Sequence, residues 1–146
     1  MKIRILSVTL MCAALVAAVG LRAEEKEPQT ELGAKMEKMQ SAYRTLNRNI
    51  DDASKNADSI AAIATIRENA EAALKLQPKK TGTVPADQQA KFVADYQAMM
   101  KKTISDLAAV EAALKAGNNA EAKTLLAAVK KDQGDGHKEF RTQKKS

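Results

Sequence analysis

From Leu32 onward the apolar positions keep a helical beat. Leu32, Met36, Met39, Tyr43, Leu46, Ile50 and Ala53 are separated by alternating steps of four and three residues, with Lys, Glu, Arg and Asn between them. At that spacing one face of a helix is apolar and the other is wet, which predicts a helix over residues 31–53. The polar stretch Ser54 to Asp58 separates it from a second helix over 59–76, with Ile60, Ile63, Ile66, Ala70, Ala73 and Leu74 inward. The alanines on that face let a neighbour approach closely. Pro78, Gly82 and Pro85 mark a loop, and Pro85 or Ala86 is suited to open the third helix. That helix, 86–116, carries Phe92, Tyr96, Met99, Met100, Thr103, Leu107, Val110 and Leu114 on one stripe, and Gly117 stops it. Asn118 and Asn119 cap a fourth helix over 119–143, whose inward set is Leu125, Leu126, Val129, Gln133, His137 and Phe140.

Four amphipathic helices on short links predict an all-α fold, an up-down-up-down antiparallel four-helix bundle. One domain over residues 31–146 accommodates it, and the acidic, Pro28-containing residues 24–30 form a flexible lead-in. The composition agrees: Gly and Pro are few, Trp is absent, and there are two Phe and two Tyr, which disfavours a β-sandwich.

Residues 1–23 follow a different rule. Lys2 and Arg4 precede an uncharged run from Ile5 to Leu21, and small residues lead to Ala23 before Glu24-Glu25. These are the three regions of a signal peptide, with cleavage expected after Ala23 and, as second choice, after Gly20. The expected destination is the periplasm, with no membrane attachment after cleavage. Cys12, the one cysteine, falls within the leader. The processed chain then has no thiol for a disulfide, a thiolate metal site, a Cys nucleophile or a covalently attached haem. Loss of the leader removes Lys2, Arg4 and Arg22, so the 24 basic residues fall to 21 against 18 acidic ones. The basic pairs that remain are short and scattered, which is not the footprint of a nucleic-acid binder.

In this topology the starts of the first and third helices share one end of the bundle with the end of the fourth. Met36, Met39, Phe92, Tyr96, His137 and Phe140 meet there. Met36 and His137 sit about 9 Å in from their helix ends, at 1.5 Å per residue. His137, the single histidine, lies eight residues after Val129 and eleven after Leu126, which predicts an inward direction. Gly134 and Gly136 flank this turn, and each costs a helix about 1 kcal/mol against Ala. Two glycines this close mark either a place where side-chain bulk is excluded or a turn that frays. A bound group is expected to fill the space beside them.

At these residues the chain resembles the cytochrome b562 family, most specifically in Leu32-Gly33-Ala34-Lys35-Met36-Glu37-Lys38-Met39 and in His137-Lys138-Glu139-Phe140-Arg141. The resemblance covers residues 31–143. It implies one non-covalent haem b per chain, with Met36 and His137 as axial ligands. It further implies that Phe92 and Tyr96 line the haem and that Arg141 lies near its edge. The function so implied is electron transfer, for an unidentified periplasmic redox partner, by a monomer that is not an enzyme. A Met/His pair suits that role, because the thioether favours Fe(II) and two filled axial positions leave no room for substrate.

Two other readings stay open. One is a haem-free periplasmic bundle with a binding or structural role. The other is copper handling by Met36, Met39, Met99, Met100 and His137, against which stands the expectation that the adjacent Met99 and Met100 cannot both face one site. No Gly-rich phosphate loop, second histidine or inward carboxylate pair suggests an enzyme.

Overall fold

A computed structural model describes residues 30–142, and within them the chain is an all-α four-helix bundle. The helices are α1 (Glu31–Asn49), α2 (Asn56–Ala73), α3 (Gln89–Lys115) and α4 (Asn119–Phe140). The leader, its cleavage sites and residues 24–29 of the lead-in lie outside the described residues. Thr30, expected in the lead-in, is the N-cap of α1, where its Oγ1 accepts a hydrogen bond from the Gly33 amide at 3.0 Å.

Local capping chemistry moves the helix ends from where periodicity puts them. The first helix stops at Asn49, four residues early, because Asp52 starts a separate 3-10 turn over Ala53–Lys55. Its carboxylate accepts from the Ser54 amide at 2.9 Å and leaves Ala53 exposed rather than inward. With that turn in place, α2 begins at Asn56 instead of residue 59. Pro85 does not open α3: residues 85–88 form a turn closed by the Gln88 amide on the Pro85 carbonyl, and the helix follows at Gln89. Gly117 does stop α3. Its left-handed φ of 73° lets the Asn118 amide reach the Ala113 carbonyl at 2.9 Å and the Gly117 amide reach Leu114 at 3.0 Å.

Two clusters fill the interior. The larger gathers Leu46, Ile63, Ile66, Leu107, Val110, Leu114 and Leu126 in the half of the bundle nearer the Gly117 turn. The smaller joins Ala70, Ala73, Tyr96 and Met100 with Leu32, Met36, Met39 and Phe140 at the opposite end. Residues from the start of α1, the end of α2, the start of α3 and the end of α4 therefore do meet. The sequential pairs α1/α2, α2/α3 and α3/α4 pack closely, whereas α1 and α4 share only sparse backbone contact. That loose seam sets the position of the site.

Candidate functional site

A cavity of about 620 Å³ opens at the methionine end of the seam. Met36 and Gln40 line it from α1, Tyr96 and Met100 from α3, and His137 and Arg141 from the end of α4. Most of its wall is carbon and sulfur. Across the seam, the Gln133 amide donates to Gln40 Oε1 at 3.1 Å and joins α4 to α1.

The angular argument for His137 holds only in part. The imidazole lines the cavity, yet the residue is exposed. The buried positions of α4 are Ala122, Leu126, Val129 and Gly136, spaced four, three and seven apart. His137 is one residue past Gly136 and so about 100° further round the helix, on the edge of the buried face. Its pKa is lowered, first by partial burial and then by the charge of Arg141. Both effects favour the neutral imidazole, the form that can donate to a metal.

The glycine turn does not fray, since α4 continues through both glycines to Phe140. Gly134 faces open space. At Gly136 a Cβ would collide with Met99 Cε and fall 2.5 Å from its Sδ. Side-chain bulk is thus excluded at Gly136. The Met99 thioether from α3 lies in the space beside it, and Gly136 and Met99 both line the cavity.

The aromatic residues divide. Tyr96 lines the cavity and is almost fully buried, and its hydroxyl donates to the Ala73 carbonyl at 3.1 Å. Burial pushes its pKa up to about 12, so it stays protonated at neutral pH. Phe92 is buried but lies off the cavity wall. Its ring packs on Phe140 with centroids 5.1 Å apart, and Phe140 in turn meets Tyr96 edge-on at 5.7 Å. Phe92 therefore backs the wall.

Arg141 caps α4 with its amide on the His137 carbonyl at 3.2 Å, and its exposed side chain stands at the cavity mouth. Lys80, from the α2–α3 loop, donates to the Glu139 carbonyl and satisfies one of the free carbonyls at the same helix end.

Not every lining residue carries a sequence signal as a site residue. Tyr43 reads as plain core, yet it borders the cavity, and its buried hydroxyl has no hydrogen-bond partner among the described residues. Met99 and Met100 both line the cavity, although adjacent helical residues point about 100° apart. The cavity wraps far enough round α3 to meet both.

These residues suit a haem. The volume lies within the range of about 300–1,000 Å³ usual for cofactor sites. The wall offers a thioether and an imidazole as neutral iron donors and a guanidinium at the mouth for the carboxylates. A family model described as Cytochrome b562 matches residues 31–141. No curated protein gives a significant match to the chain. Among the described residues no helix is long and apolar enough to cross a membrane. The match spans the whole bundle, from the first turn of α1 to the arginine that caps α4, and the chain belongs to the cytochrome b562 family.

Proposed function

We propose that the protein is a periplasmic electron carrier that binds one haem b non-covalently, with Met36 and His137 as axial ligands. One observation carries this reading: two soft donors from opposite ends of the chain line the same cavity, in a bundle of the family that holds haem. The leader-like residues 1–23 support the periplasmic destination.

Bound haem supplies a one-electron Fe(III)/Fe(II) couple. The chain's own residues hold and tune it. Met36 brings a neutral thioether from α1, and His137 a neutral imidazole from α4. Together they would hold the iron, which would then pass electrons rather than do bond chemistry. Tyr96 and Met100 keep water from the α3 side, and Phe92 stiffens that wall through Phe140. Arg141 offsets the propionate charge at the mouth.

The visible spectrum tests this reading. Protein purified from the periplasm, or reconstituted with haemin, is expected to show a Soret band and a sharp α-band on reduction. Protein that stays colourless with haemin refutes it. His137→Ala should abolish low-spin ligation, and Met36→Ala should do so in the reduced state while Met39→Ala should not. The reverse result for the two methionines moves the ligand to Met39.

A further inference from the structure

Beyond the leader the chain has four methionines, Met36, Met39, Met99 and Met100, and all four line the cavity that also holds the one histidine. Haem held as proposed would use one thioether. Three remain. Leucine has nearly the same volume, and the same helices use it at Leu46, Leu107, Leu114 and Leu126. None of the buried side chains in the larger core cluster is a methionine. The thioethers all border the cavity, alongside Leu32, Ile66, Leu107 and Val129, and Met39 also packs against the larger cluster. Met36 and Met39 pack on the cluster that holds Met100 and Tyr96. The Met99 Sδ rests on Gly136, the residue before His137.

The donors select the guest. Among the described residues no three His, Cys, Asp or Glu side chains gather as a metal site, and the donors that line the cavity are thioethers and one imidazole. Thioethers and an imidazole suit Cu(I), a soft ion that accepts neutral ligands. The charged residues on the wall are Arg44, Lys79 and Arg141 against Glu37, a net positive wall that opposes a divalent cation more than a monovalent one.

We propose that the haem-free protein binds one Cu(I) ion in this cavity, through thioethers from both α1 and α3 together with the His137 imidazole. The ion binds without change of valence. The site needs only the cavity and its donors, so it stands whether or not Met36 is the haem ligand. Because the donors are shared, Cu(I) and haem exclude each other.

The test uses the chain from residue 24 onward, which carries the whole described fold and leaves out Met1, Met11 and Cys12. It is titrated without haem against the coloured Cu(I)–bicinchoninate complex. One Cu(I) per chain should be withdrawn. Met36→Leu with Met39→Leu, and separately Met99→Leu with Met100→Leu, should each weaken binding about tenfold or more, a loss of about 1.4 kcal/mol. These swaps conserve volume, and unchanged helix content by circular dichroism checks the fold. Sulfur scatterers should appear in the copper X-ray absorption spectrum. No withdrawal of copper, undiminished binding in either paired variant, or a shell of nitrogen and oxygen alone overturns the proposal. Haemin titration of the same samples reads the haem site independently.

Discussion

The two ends of this bundle are held by different means. At the Gly117 end, Leu46, Ile63, Leu107 and Val110 are wholly buried, and a reciprocal pair of asparagines ties the helices together. Asn56 donates to the Leu114 carbonyl at 3.0 Å and Asn119 to the Ile50 carbonyl at 2.8 Å, while each amide also donates to the other at 3.2 and 2.8 Å. Two side chains thereby link the ends of α1 and α3 to the starts of α2 and α4. At the cavity end the packing is methionine, alanine and aromatic, the histidine is exposed, and α1 meets α4 through the Gln40–Gln133 bond. The difference shows how a bundle keeps an accessible site. Branched, stiff side chains and buried amides fix the helices at one end, so the other can stay unzipped along a single seam.

The largest effects should fall at the closed end. Leu46→Ala should cost about 2–5 kcal/mol in guanidinium denaturation, as cavity-forming changes in full cores do. Met36→Leu, at the open end, should cost less than about 1.5 kcal/mol and register mainly in the haem spectrum. Equal stability losses at the two positions would erase the contrast.

Asn119→Ala should cost about 1–3 kcal/mol, since it strands both the Ile50 carbonyl and the Asn56 side-chain oxygen. A double-mutant cycle with Asn56→Ala should show strong coupling. Additive losses would mean that the pair does not act as one tie.

Tyr96→Phe should cost about 0.5–1.5 kcal/mol for the lost bond to Ala73. It also carries a pH signature. Tyrosine is neutral when protonated, and burial raises its folded pKa from 10.0 to about 12, so the unfolded chain loses the proton first. That part of the stability is whole below pH 10 and declines as pH rises through about 12. Alkaline denaturation of Tyr96→Phe should be flatter than that of the parent, and identical curves would remove the assignment.

The smallest effects separate the two glycines. Gly134→Ala meets nothing within 4 Å and should stabilise α4 by up to about 1 kcal/mol without changing the haem spectrum. Gly136→Ala should gain the same helix propensity but push the flexible end of Met99 aside, leaving stability nearly unchanged while shifting the spectrum. Identical behaviour of both variants would mean that Met99 does not occupy the notch.

Much of this was legible in the chain. The steps of four and three in α1 identify Tyr43 and Leu46 as core, and the short links align Met36 with His137 at one end. Helix ends were less legible, because a side-chain cap such as Asp52 on the Ser54 amide outweighs a periodic stripe by a local hydrogen bond. The role of Phe92 was hidden as well. Periodicity says that a ring points inward, and only packing says whether it meets the cavity or another ring.

The lone histidine marks the division. The sequence by itself determined the family, the four helices and the meeting of Met36 with His137 at one end, because backbone periodicity and short loops leave the chain little choice. Only the tertiary structure decided that His137 sits at the edge of the buried face, that the glycine beside it is a notch for Met99, and that four thioethers surround one cavity. Those outcomes depend on the distance and rotation between helices, which are set by the side chains of two elements at once.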